Sequence, residues 1–373
     1  MGGRRHLCVA ALALALLPAA ACGQQRHETS TRVDSTALTD RIEQQLAPDP
    51  AGERLRAVVV MHEGRVVYEH YQRAHPEDHW NIDAATTTVL STLVGIALHE
   101  GRIPGLGSTL AQLLPDRASS MSPQVARTNL QQVLTMTAGF DVPANNRADL
   151  FVRDPDPVGN ILGSQANPPG RFFDYSDQGA HLLSAILEHA TGMPVLAYAR
   201  SRLLDPLGIP SRPADEPLGS ARALTQGDRS RFGWAVDRAG LQDGWNGLRL
   251  RPRDLARIGQ VFLDDGRWHG RQVVPQNWTR VASLTHVATG YELAPGYGYG
   301  WWVDERNSQT VYFAWGYGGQ LLEVLPKQQV VAVVLTEQDP TNLVRGFFAA
   351  ELTSLVGHVI VPAVLEPATR AGS

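Results

Sequence analysis

The sequence predicts an α/β protein of the α+β type: an antiparallel sheet built from both chain ends, flanked by helices, with a mainly helical region inserted between them. Two clusters of short β-branched runs, near residues 56–71 and 297–336, bracket a long middle rich in helix patterns and prolines. Strands, then helices, then strands again suggests one sheet whose halves are far apart in sequence. With 373 residues, 43% hydrophobic and 19% charged, the chain is long enough for a sizeable core and has an ordinary globular composition.

Residues 56–71 read RAVVVMHEGRVVYEHY, two strand-like runs around Glu63-Gly64, which predicts a hairpin. Residues 86–100 are apolar almost all round and stop at Gly101, which predicts a buried helix with Asp83 as its N-cap. Further helices are expected at 179–189 and 195–204, inside an insertion spanning about residues 118–260 that Pro168-Pro169, Pro206 and Pro210 interrupt. Strands are expected at 297–304, 310–315, 320–325 and 330–336, with a turn at Pro326-Lys327-Gln328. A helix over 345–358 closes a domain running from residue 38 to 365, and 366–373 reads as a disordered tail.

The N-terminus reads as an address. Arg4 and Arg5 precede an apolar run from Leu7 to Leu17, and Ala19-Ala20-Ala21 supplies small residues for cleavage. A secretory signal over residues 1–21 is therefore expected, and the run is too short to span a bilayer comfortably. Cys22 follows directly. An alanine run before a cysteine resembles the bacterial lipobox, which implies lipidation of Cys22 and a membrane anchor on the extracytoplasmic side. The polar stretch 22–37 then serves as a flexible tether. Plain secretion by cleavage alone is the alternative.

Composition also excludes chemistry. Net charge is −4, so nothing suggests nucleic-acid binding. The only cysteines are Cys8 and Cys22, which leaves the body without a disulfide framework, a Cys-based zinc site or a Cys nucleophile. Of the 33 basic residues only Lys327 is a lysine, so a lysine base is possible only there. His75 and His79 have the i, i+4 spacing of a metal pair, but Pro76 and its polar neighbours predict a solvated loop. No GxSxG nucleophile elbow occurs, and Gly296, Gly298 and Gly300 alternate within an aromatic stretch rather than follow a βαβ strand. No cofactor is implied.

Several stretches together resemble one family. They are STLVGIALHEGRI from Ser91, LQQVLTMTAGF from Leu130, FDYSDQGAHLLSAILEHATG from Phe173, LLDPLGI from Leu203, GLRLRPRDLARIGQVFL from Gly247, YGYGWWV from Tyr297 and WGYGGQ from Trp315. In this order and spacing the chain resembles the serine β-lactamase and DD-peptidase superfamily, specifically the class C β-lactamase-like esterases and amide hydrolases. The resemblance runs from about Arg56 to Gly357 and implies the β-lactamase/DD-peptidase-like fold.

The family's chemistry needs Ser-x-x-Lys at the start of the buried helix, Tyr-Ser/Ala-Asn to relay a proton, and a glycine-containing strand edge. The backbone N–H of that edge joins the nucleophile's own N–H in an oxyanion hole. The resemblance puts the first motif on Ala84 and Thr87, where serine and lysine are expected, so nucleophile and base are both missing. It puts the second on Tyr175-Ser176-Asp177, with Tyr175 kept as the relay and Asp177 in place of Asn. The third falls on Gly316-Tyr317-Gly318, next to Trp315, with Gly319 as the implied oxyanion donor. The expectation is a pseudoenzyme with a cleft for a small acyl compound, a peptide or a cell-wall fragment. The alternative is an active hydrolase of esters, amides or β-lactams that uses Thr87 or Ser176 as a relocated nucleophile. Thr86, Thr87 and Thr88 could equally satisfy local hydrogen bonds at a helix start.

Overall fold

A computed structural model of the chain describes residues 33–47, 50–141, 154–214, 229–306, 308–338 and 349–366. An eight-stranded antiparallel sheet is its spine. Two strands come from the N-terminal side, β1 (Leu55–His62) and β2 (Arg65–Tyr71). Six come from the C-terminal side: β3 (Val287–Tyr291), β4 (Ala294–Tyr297), β5 (Trp302–Glu305), β6 (Thr310–Gly316), β7 (Gln320–Leu325) and β8 (Val330–Thr336). Their order is β2-β1-β8-β7-β6-β5-β4-β3, so the two chain ends meet where β1 pairs with β8, Val58 opposite Val334. The predicted hairpin is present, with Glu63 at φ 49° and Gly64 at φ 76° forming its two-residue turn.

β1 lies one strand in from the edge of the sheet, and beyond a bulge at Leu55/Ala57 its side chains divide by the period of two. Ala57, Val59 and Met61 join the core that includes Leu255, Ile258 and Val261, whereas Leu55, Val58 and Val60 join Leu38, Ile42, Leu352 and Leu355 on the other face. Helices therefore cover both faces. The first, α1 (Ser35–Leu46), was expected to lie partly in a flexible tether. Asp34 instead caps it, accepting from the N–H groups of Thr36 and Ala37, and Leu38, Ile42 and Leu46 bury one face. Residues 33–37 thus belong to the folded body, because an i, i+4, i+8 apolar stripe has a sheet to cover.

The buried helix α2 (Thr86–His99) ends as expected, with Gly101 at φ 69° beyond it. Its start differs from expectation. Asp83 does not cap it but opens a short 3₁₀ turn over Asp83–Ala85, and the N-cap position, Ala85, has no side-chain cap. The short α3 (Leu130–Leu134) and the long α4 (Asp177–Thr191) follow, and Gly192 terminates α4 at φ 65°. The helix α5 (Pro252–Leu263) packs on β1, β7 and β8 rather than with the inserted region to which its sequence position assigned it. Gly259 lets it approach: a Cβ there would stand 2.6 Å from Leu322 and 2.7 Å from Val331. Further along, α6 (Gln276–Ala282) lies against α2.

Two other expectations are corrected. Residues 297–304 are not one strand, since Gly298–Trp301 turns between β4 and β5, with Gly300 at φ 77°. The last helix, α7 (Ala349–Leu355), continues through a π turn to Leu365 instead of stopping near His358, and Val359, Ile360 and Val364 are buried along it. The expected start of that helix at residue 345, the signal segment, Cys22 and nearly all of the expected C-terminal tail lie outside the described residues. No helix among the described residues is long and apolar enough to cross a membrane.

Candidate active site

The site forms where the start of α2, the start of α4 and the β6–β7 turn meet. Residues 82–84 lie so close to the end of β6 that a Cβ on Gly316 would stand 2.3 Å from the Ile82 carbonyl oxygen, so only glycine fits there. Asp83 fixes this contact. Its Oδ1 accepts from Ala84 N at 2.7 Å and from Tyr317 N at 3.1 Å, and its Oδ2 accepts from Gln338 Nε2 at 3.3 Å. Its φ of 50° is left-handed, a conformation that Asp tolerates better than most residues. A long-range partner has thus taken the side chain that sequence alone assigns to a helix cap.

Ala84 is half-buried, and Thr87 is buried one turn further along α2. Thr87 Oγ1 donates to Gly244 O at 3.4 Å, and the Tyr175 phenol lies nearby. The structure places Thr87 near Tyr175, with Ala84 one turn before it. Burial, joined by the nearby Tyr297 and Asp177, pushes the Tyr175 phenol well above its ordinary pKa, so it stays protonated at neutral pH. Thr88 donates to Gly300 O at 2.6 Å and Ser91 to Tyr299 O at 2.5 Å, fastening α2 to the β4–β5 turn.

Ser176 is the N-cap of α4. Its Oγ accepts from Gly179 N at 3.1 Å and is shared with Phe140 O and the side chain of Gln178, each at 3.1 Å. Gly319 lies apart from the helix start. A Cβ there would meet Thr336 Oγ1 at 2.5 Å and Leu352 at 3.2 Å. The N–H of Tyr317, two residues before the implied donor Gly319, donates to Asp83. Gly318, at φ 81°, turns the chain between them, and its carbonyl accepts from the Thr336 hydroxyl.

Aromatic rings wall the site. Tyr175 stacks on Trp302 at 5.4 Å and 15°, Trp302 meets Trp315 at 5.8 Å, and Phe173 meets Tyr291 edge-on at 6.3 Å. Tyr175, Trp315 and Tyr317 are each half-buried, as is Asp177.

Sequence reasoning missed the loop behind Thr87. His181, in α4, is buried; its Nδ1 accepts from Gly244 N at 3.3 Å and its Nε2 lies 3.1 Å from Asp237 Oδ2. The backbone donor fixes the tautomer, so Nε2–H donates to Asp237. Burial works to raise the Asp237 pKa, but hydrogen bonds from His181 and the Leu241 backbone N–H outweigh it and leave the carboxyl below its ordinary value. This pair holds Gly244 in place for Thr87. Asp243, the preceding residue, is fully buried. Burial, offset in part by the Trp245 N–H and reinforced by the charges of Asp177 and Asp83, pushes its carboxyl well above the ordinary range. No local motif marks His181, Asp237 or Asp243, because they converge from separate segments.

A separate cavity of about 280 Å³ lies further along α4, lined by Arg117, Asp156, Glu188 and Asp237 among others. His79 is buried, not solvated as expected, and the Arg229 guanidinium lies over its neighbour Trp80 at 3.9 Å. Among the described residues, no cluster of three or more His, Cys, Asp and Glu side chains could hold a metal ion.

The family model Beta-lactamase matches residues 45–352, and the chain belongs to this family of β-lactamase-related serine hydrolases. A 6-aminohexanoate-dimer hydrolase from Paenarthrobacter ureafaciens is 26% identical over 353 residues, covering 86% of this chain and 82% of that protein. The fold is shared with a D-amino acid amidase from Ochrobactrum anthropi SV3, with a TM-score of 0.65 and 15% identity over 88% of this chain and 99% of that one. It is shared too with an octameric penicillin-binding protein homologue from Pyrococcus abyssi, with a TM-score of 0.64 and 17% identity over 86% and 77%.

Proposed function

We propose that the protein is a secreted, membrane-tethered member of this family whose cleft binds a ligand without turning it over. The observation that carries this reading is Ala84 at the nucleophile's place, since a methyl group has no lone pair to attack with. Thr87 cannot replace the missing amine as a base. The oxyanion corner adds support. Ala84 N–H, the backbone donor at the nucleophile's place, points at Asp83 Oδ1 together with Tyr317 N–H, so it already serves a carboxylate of the chain itself. The ligand is a small acyl compound, a peptide or a cell-wall fragment, and the anchor is a lipid on Cys22.

The relocated-nucleophile reading draws some support from relatives named as a hydrolase and an amidase. Against it, the Ser176 hydroxyl is engaged as a helix cap, and the Tyr175 phenol beside Thr87 holds its proton too tightly to act as a base at neutral pH. Incubation with a fluorophosphonate and with nitrocefin, followed by peptide mass mapping, separates the two. The proposal expects no adduct and no hydrolysis; turnover with a labelled Thr87 or Ser176 overturns it. For the anchor, Cys22→Ser should move the protein from the detergent to the aqueous phase, and unchanged partitioning would remove the lipid from the account.

A further inference from the structure

The cavity beside α4 is separate from the cleft at the start of α2. Its volume of about 280 Å³ gives room for a small molecule only. Three segments line it together with α4: the 3₁₀ turn Pro115–Ser120, the short helix Pro157–Gly163 and the turn closed by the bridge between Val236 and Gln242. Asp116 and His189, both exposed, belong to the lining and mark where the cavity meets solvent. Further in, the lining is of two kinds. Leu114, Val158, Ala185 and Leu241 are apolar, whereas Glu188 and Asp237 are carboxylates.

Neither carboxylate has a cation of its own. Asp237 is 0% exposed, and it accepts from the His181 Nε2–H at 3.1 Å and from the Leu241 N–H at 2.9 Å. His181 is the neutral tautomer that the Gly244 N–H fixes, so no full positive charge faces the buried carboxylate. Glu188 is half-buried and makes no hydrogen bond or ion pair among the described residues. Burial pushes its pKa up, and the charge of Asp237 pushes it further. The helix sets this arrangement. His181, Ala185 and Glu188 follow one another along one face of α4, and Asp237 bonds to the first of them. The arginine nearby is already engaged, since Arg117 pairs with Asp156 at 2.7 Å. A buried charge that faces an apolar space without a counterion is costly, and a cation entering that space relieves the cost.

We propose that this cavity binds a small organic cation, an ammonium or guanidinium on a short apolar stem, with the charge between Glu188 and Asp237 and the stem against Leu114, Val158 and Leu241. Carboxylate oxygens only accept, so a cation bearing N–H donors suits them. A bare metal ion suits the cavity less well, because no three His, Cys, Asp or Glu side chains among the described residues converge to hold one. The site stands whether or not the cleft at α2 turns a substrate over, since the two share no lining residue.

Calorimetric titration of the full chain with n-butylamine, n-butylguanidine, 1-butanol and butyrate tests this. Both cations should bind saturably and about tenfold more tightly than the alcohol or the anion, the gain of charge-assisted hydrogen bonds in a partly dry site. Glu188→Gln should weaken both cations about tenfold and leave 1-butanol unchanged. Ala185→Leu, which fills the cavity from α4, should abolish binding of the cations. Asp116→Asn, at a side chain 90% exposed, should change their affinity less than about twofold. Alcohol or butyrate binding as tightly as the cations, no saturable binding of any of the four, or cation affinity unchanged in Glu188→Gln would each overturn the proposal. So would a loss in Asp116→Asn as large as that in Glu188→Gln, which would reduce the effect to a diffuse surface charge. Should Ala185→Leu fail to fold, the ligand series and Glu188→Gln, at a partly solvated side chain, still decide.

Discussion

Asp83 does at residue scale what no single-position pattern announces: it binds the helix start to a hairpin more than two hundred residues away. Burial, strengthened by the charge of Asp177 and only partly relieved by the N–H groups of Ala84 and Tyr317, pushes its pKa up to about 7. An unfolded Asp titrates near ~3.9. Between these values the folded chain holds a proton that the unfolded chain has released, so stability falls as pH rises from about 4 to about 7 and levels off above. Asp83→Asn should therefore give a shallower fall in Tm between pH 4.5 and 7.5. It should not abolish the fall, because burial also pushes Glu323 to about 7 despite the nearby Arg306. Identical slopes in the two proteins would show that Asp83 titrates normally. Ser176 makes a simpler case. Ser176→Ala removes the cap of α4 and should cost ~1–2 kcal/mol in urea denaturation. A loss below ~0.3 kcal/mol would mean that another group caps the helix.

Among the elements, those whose burial is nearly complete were the ones legible in the sequence. β1, β7 and β8 are covered on both faces; β8 reads as a nearly continuous apolar run, β1 as an apolar run after Arg56 and β7 as one broken by Glu323, and α2 is apolar almost all round because sheet and helices enclose it. The elements that escaped have weaker patterns. α1 shows only Leu38, Ile42 and Leu46 within a polar stretch that follows a breaker-rich leader, and β3 is mostly exposed, so neither announces itself locally. The α2–α6 contact gives a direct probe of close packing. A Cβ at Gly95 would stand 2.1 Å from the Trp278 ring, so Gly95→Ala should lower stability by about 1–3 kcal/mol despite alanine's better helix propensity. A raised urea midpoint would show that the two helices can separate without cost.

For the molecule as a whole, the candidate site was legible only in part, and the division has a physical reason. The positions that the resemblance marks lie on the starts of α2 and α4 and on the β6–β7 turn, and the fold places Thr87 near Tyr175, with Ala84 one turn before it. What surrounds them was hidden. His181 reaches the Gly244 loop behind Thr87 from α4, and the Tyr317 N–H turns to Asp83, both contacts between segments far apart in the chain. We propose that the family scaffold persists while catalysis is lost at Ala84 and Thr87, with Asp83 holding the Ala84 N–H.

The most direct measurement of that claim is p-nitrophenyl acetate hydrolysis, with intact-mass detection of acylation, by the wild-type protein, Ala84→Ser, Thr87→Lys, the double variant and the double variant with Asp83→Gly. Serine without an amine and lysine without a nucleophile are each incompetent, so both single variants should match the wild-type background. The double variant should gain measurable turnover with one acetyl group on residue 84. Asp83→Gly should raise it further, since it frees two N–H donors and relieves a left-handed φ. A folded double variant that is never acylated, with or without Asp83→Gly, or a wild-type protein that already turns over at the double variant's rate, would contradict the claim.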